Sequence, residues 1–138
     1  QLGAICRSAA AFGIKALVIT RATVNAYDRR IIRASRGQVF RCPIITCTPD
    51  VLIKHCQQTS TDIVVLDANA TTDISTLAQH PKGIAMTFGS EKEGINDSLQ
   101  QAAAHAHHIP MHNALDSLNV SVAVGICLYQ RRHSKASP

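Results

Sequence analysis

Apolar positions along this chain come in short dense runs, set apart by polar or glycine-bearing stretches. Residues 3–12, GAICRSAAAF, are almost all small and predict a closely packing helix closed by Gly13, with Arg7 as its lone long cation. ALVIT (16–20) predicts a strand, and NAYDRRIIRAS (25–35) a helix that Asn25 and Asp28 open in the manner of a capping box. VFRCPII (39–45) predicts a strand that Pro43 restricts to an edge or a bend. Residues 49–58 predict a helix opened by Thr48 or Asp50. DIVVL (62–66) then predicts a buried strand followed by the polar loop DANATTD (67–73). IAMTF (84–88) predicts another buried strand, ending in the glycine-bracketed GSEKEG (89–94). A helix over NDSLQQAAAHA (96–106), a short strand HHIPM (107–111) and a closing helix SLNVSVAVGICLYQRR (117–132) complete the set. Strands and helices alternate and the strands are apolar throughout, which predicts an α/β fold with a mostly parallel sheet flanked by helices. The tail RRHSKASP is basic, polar and expected to fray.

The closing helix is apolar nearly all round: Leu118, Val120, Val122, Ala123, Val124, Ile126, Cys127 and Leu128. Such a helix needs cover on most sides, from its own sheet and from a partner subunit. Its polar residues are confined to the first turn (Ser117, Asn119, Ser121) and the basic end (Gln130, Arg131, Arg132). The end charges complement the helix dipole. In the first turn, capping by Ser117 and ligand binding at the positive helix end both account for the polar residues.

Composition narrows the class without naming a chemistry. At 138 residues, 46% hydrophobic and 17% charged, the chain suits one folded domain. It carries neither an apolar run long enough to span a membrane nor a basic region followed by an apolar leader, so a cytoplasmic location is expected. Five cysteines form no disulfide framework, and CPIITC lacks the close pairing of a zinc knuckle, so buried reduced thiols are expected. The net charge of +5 is uneven: Arg21, Arg29, Arg30, Arg33, Arg36 and Arg41 crowd one segment against Asp28 alone. On a helix, Arg29, Arg33 and Arg36 share a face, which is either a solvated surface or a phosphate-binding surface for nucleic acid.

Two local features invite chemistry. GSEKEG follows a strand and precedes a helix, the place where open α/β sheets bind ligands, though a plain turn has the same signature. His105, His107, His108 and His112 crowd one region, with His105 and His107 on one face of a strand and His108 on the other. No cysteine or carboxylate stands at ligand spacing around them, so surface or interface histidines are expected and no metal. No Gly-x-Ser-x-Gly elbow is present.

Three stretches taken together carry more. QLGAICRSAAAFG, FGSEKEGIND and IPMHNALDSLNVSVAVGICLYQ, in this order and spacing, resemble the three motifs of the SpoU/TrmH family, RNA ribose 2′-O-methyltransferases of the SPOUT class. RASRGQVFRCPI is similar to a segment of rRNA-directed, thiostrepton-resistance-type members. The resemblance implies a carboxyl-terminal trefoil knot that binds S-adenosylmethionine, and a homodimer packed through the first and last helices. By motif, Gly89, Glu91 and Gly94 would line the cofactor loop. Ile109, Met111 and Leu118 would contact the cofactor, with Asp67 and Ala68 as further neighbours. Arg7, Glu91, Ser117 and Asn119 would form the catalytic group. Arg29, Arg33 and Arg36 would bind RNA, rRNA ahead of tRNA. A guanidinium, with its pKa above about 12, is a poor free base. Arg7 is instead expected to hold the adjacent phosphate and stabilise charge on the 2′-oxygen, oriented by Asn119, Ser117 or Glu91. The family's first motif usually begins with Asn, where this chain has Gln1, and the strand before it is missing. Residues 1–133 are therefore expected to be the catalytic portion of something longer, lacking an amino-terminal RNA-binding domain, with 134–138 a polar tail. The rival from another class is a non-catalytic RNA-binding or dimerisation module on the same fold.

Overall fold

The computed structural model describes residues 2–12, 14–20, 43–89, 94–112 and 118–135. The arginine-bearing segment 25–36 lies outside them, as does the start of the VFRCPII run.

Helix α1 spans Leu2–Ala11, and strand β1 spans Leu17–Thr20. β1 pairs in parallel with β2, Ile44–Cys47. β2 begins after Pro43, which has no N–H to give a ladder; its carbonyl accepts from the Leu17 amide at 2.9 Å. Helix α2 (Pro49–Gln58) is capped by Thr48, whose Oγ1 accepts from the Val51 amide, and proline occupies its first turn where no donor is needed.

A second sheet holds the centre of the molecule. It comprises β3 (Thr61–Leu66), β4 (Thr72–Asp73), β5 (Gly83–Thr87) and β6 (His105–His108), all parallel, in the order β4-β6-β3-β5. Helix α3 covers Asp97–Ala102, and α4 covers Val120–Lys135. Both faces of β3 are apolar because both are covered. On one face Val64 packs with Ile74, Leu77 and Cys127, joined by Leu66, Ile84, Met86, Phe88 and Ile109. On the other, Ile63 packs with Cys56 of α2 and Leu99 of α3. α1 lies against α4, where an added Cβ on Gly125 would sit 3.5 Å from Ser8 Oγ and Phe12 meets Tyr129 edge-on at 5.9 Å. No described helix is long and apolar enough to cross a membrane.

Several boundaries differ from the sequence expectation, among them the end of β2, which runs on to Cys47. The polar loop after β3 contains a ladder: Thr72 and Asp73 pair with β6, and Ile74–Gln79 forms a 3-10 helix. Asp73 starts that helix by accepting from the Ser75 amide, and Ile74 and Leu77, three apart, both bury. The alanine-rich helix stops at Ala102, and the strand starts at His105 rather than His107. Ala104 N–H donates to Ile63 O at 2.8 Å, so pairing with β3 inside the sheet outweighs local helix propensity. The closing helix starts at Val120 and stays helical to Lys135, through most of the tail expected to fray.

Candidate functional site

The order β6-β3-β5 sets three carboxyl ends side by side, so Asp67, Gly89 and Ile109 leave the sheet at one edge. Asp67 extends the ladder, its N–H donating to His107 O, and its Oδ1 accepts from the Asn69 amide to close a turn through the exposed Ala68. After β6, Ile109 and Met111 are half-buried, and Ile109 with Phe88 packs onto the central core.

Gly89 and Gly94 are held together. A Cβ on Gly89 would lie 2.6 Å from the carbonyl carbon of Gly94 and 2.8 Å from the Ile95 nitrogen, so no other residue fits. Gly94 has φ +68°, and open space surrounds its own Cβ direction. The loop between them is pinched at its base. Asn96, two residues on, caps α3 through Oδ1 to the Ser98 and Leu99 amides. Glu91 lies outside the described residues.

Helix α4 packs on the 3-10 helix and on α1. Arg131, on its carboxyl-terminal half, donates to the carbonyls of Leu77 and His80 and to that of Lys82, just ahead of β5. Cys127 packs beside Val64 at mid-sheet. Leu118 and Asn119 stand at the other end of α4 from Arg131. Asn119 is the cap: its Oδ1 accepts from both the amide and the hydroxyl of Ser121. Among the described residues, capping of α4 rests on Asn119; Ser117 lies outside them. Since Ser121 N–H is a donor, the orientation of the Asn119 amide follows, and Nδ2 is its outward, donating end. Arg131 does more than complement a dipole: its fork satisfies three carbonyls where the chain leaves the 3-10 helix. Burial pushes its guanidinium pKa down.

Arg7 is exposed on α1, on the side away from the buried Ala9. Arg29, Arg33 and Arg36 lie outside the described residues. Sequence reasoning did not name Phe88, for which a large apolar residue directly before a glycine loop was the available signal, and it grouped Ser121 with the first-turn polar residues without seeing that it bonds Asn119. Of the histidines, His105 and His107 do share a face: His107 is buried, with Nε2 2.9 Å from Thr76 Oγ1, and His108 turns to Thr72 O. Spacing put no carboxylate beside them, yet the fold brings Asp62 and His80 to His105. Burial pushes the Cys127 thiol pKa up to about 12, and Cys47, Cys56 and Cys127 are all free thiols.

Residues 2–129 match the SpoU rRNA Methylase family. The chain is 34% identical over 132 residues to the 23S rRNA (adenosine(1067)-2′-O)-methyltransferase of Streptomyces azureus, covering 95% of this chain and 49% of that protein. It is 30% identical over 131 residues to the 23S rRNA (guanosine-2′-O-)-methyltransferase RlmB of Xylella fastidiosa, covering 94% and 52%. The AdoMet-bound rRNA methyltransferase from Sinorhizobium meliloti superposes with a TM-score of 0.82 at 28% identity, over 99% of this chain and 52% of that one. The chain spans about half the length of the curated relatives it matches. With a match that takes in α1, the pinched glycine loop and most of α4, the chain belongs to the SpoU rRNA methylase family.

Proposed function

We propose that this chain carries out S-adenosylmethionine-dependent methylation of a ribose 2′-hydroxyl in RNA, with rRNA as the substrate class. The observation that carries the reading is convergence: the pinched Gly89–Gly94 base, the Asp67 turn and the Ile109–Met111 segment meet at one edge of a parallel sheet. The rRNA-directed relatives favour rRNA over tRNA.

The residues at this edge suit the cofactor. Gly94 borders open space, so backbone can approach a ligand there, and Phe88, Ile109 and Met111 offer half-buried apolar surface for a nucleoside. Gly89, Glu91, Gly94, Ile109, Met111 and Leu118 would hold it, with Asp67 and Ala68 beside it. Bound, it supplies an electrophilic methyl group on a sulfonium. The protein's share is alignment of the ribose hydroxyl with that methyl, which accounts for much of the barrier. Arg7 holds the neighbouring phosphate and stabilises charge developing on the 2′-oxygen. Both acceptor sites of Asn119 Oδ1 are taken by Ser121, so this residue donates from Nδ2 to the substrate, and orientation of Arg7 falls to Ser117 or Glu91.

A homodimer completes the site. Leu118, just ahead of α4, and Val122, Ile126 and Tyr129 on it form an exposed apolar stripe, at 38%, 50%, 37% and 52% of full exposure. Arg7 faces outward on α1, which supports a role across the subunit boundary. The carboxyl-terminal segment is read as threaded in the family's trefoil knot, and the protein as cytoplasmic.

The test is transfer of labelled methyl from S-adenosylmethionine to 23S rRNA, with 2′-O-methylation mapped by mass spectrometry. Arg7→Ala is expected to lower transfer about 100-fold while cofactor affinity by calorimetry stays within about twofold. Loss of both together overturns the assigned role. Cofactor binding without transfer to any RNA would favour the non-catalytic module.

A further inference from the structure

At the opposite end of the central sheet, three segments bring two imidazoles and a carboxylate together. Asp62 is the second residue of β3 and His105 the first of β6, and the register sets Val64 beside His105, so both side chains share one face. His80 follows the 3-10 helix. Its Nε2 lies 2.8 Å from Asp62 Oδ2, and its ring meets that of His105 at 5.4 Å and 79°. One ligand atom from each of the three lies within 4.8 Å of the others.

We propose that Asp62, His80 and His105 form a binding site for a borderline divalent transition metal, zinc in the first instance. Zn–N and Zn–O bonds of about 2.0–2.2 Å put tetrahedral ligand atoms roughly 3.3–3.6 Å apart, longer than the 2.8 Å His80–Asp62 contact and inside the 4.8 Å that bounds all three. Two imidazoles select against magnesium and calcium. His80 is held ready: its N–H donates to Leu77 O and its carbonyl accepts from Arg131 Nη1 at 2.7 Å. His105 is exposed, which leaves the fourth coordination position to water. His107, next on this face, is engaged with Thr76 and stays out of the set. The site is separate from the glycine-loop edge, five residues along β3 from Asp67 and so roughly 16 Å away. Its role is to tie the starts of β3 and β6 to the segment leaving the 3-10 helix, and it departs from the expectation of no metal.

Chelator-treated protein titrated with zinc chloride by calorimetry is expected to take up one equivalent per chain. Cobalt(II) is expected to give tetrahedral ligand-field bands in the visible. His105→Ala, at an exposed position that does not endanger folding, should weaken both by at least about tenfold, and Asp62→Asn likewise, while His112→Ala changes neither. Absence of saturable binding, or binding undiminished in His105→Ala, overturns the site. Neither readout involves methyl transfer, so the outcome is independent of the proposed activity.

Discussion

Two glycines and one asparagine carry most of what can be tested at the scale of single residues. Gly89→Ala would drive a methyl group to 2.6 Å from backbone that cannot swing aside. It is expected to cost about 2–3 kcal/mol in denaturant unfolding and to abolish cofactor binding. Gly94→Ala has room, so its cost is the left-handed backbone alone, about 1 kcal/mol. Asn119 separates two duties. Asn119→Ala should lose about 1 kcal/mol of stability with the cap, whereas Asn119→Asp keeps the acceptor and stability but loses the donating amide. If Asn119→Asp retains full methyl transfer, the donor role of Nδ2 is wrong. Both glycines and the asparagine were legible in the sequence as motif positions. The direction in which Asn119 donates was not, because it depends on the bonds made by Ser121.

The elements themselves divide by how their residues find partners. β3 and β5 were readable because runs such as DIVVL are apolar on both sides, and α2 because Thr48–Pro49 is a local start signal. The 3-10 helix and the start of β6 were not. Thr72, Asp73 and His105 become strand only by pairing with residues more than 30 positions away or across the sheet, and no local pattern encodes that. Arg131 fixes the same region from α4, reaching carbonyls about 50 residues back in the chain. Arg131→Met should leave those carbonyls without their cation and cost about 1–2 kcal/mol, measured by urea unfolding, the lower figure reflecting partial solvent access. A loss below a few tenths of a kcal/mol would return Arg131 to a simple dipole role.

For the whole molecule, the exposed apolar stripe along α4 is where the proposed dimer can be tested. Val122→Glu with Ile126→Glu places charge on exposed positions that the single chain does not need buried. The double variant should fold yet sediment as a monomer and lose methyl transfer, in proportion to the dependence of the site on a partner's Arg7. An unchanged dimer would move the interface elsewhere. The sequence alone determined the alternation of strands and helices, the parallel sheet, the glycine pair and the family to which the chain belongs. The first two rest on periodicity and local caps, which neighbours along the chain dictate, and the last two on the likeness of three stretches to the family's motifs. Only the tertiary structure decided which strand ends share an edge, that Arg131 of α4 reaches the carbonyls beyond the 3-10 helix, and that Asp62 and His80 gather around His105. Those are contacts between residues remote in sequence, and they exist only once strand order and the direction of α4 bring the segments together.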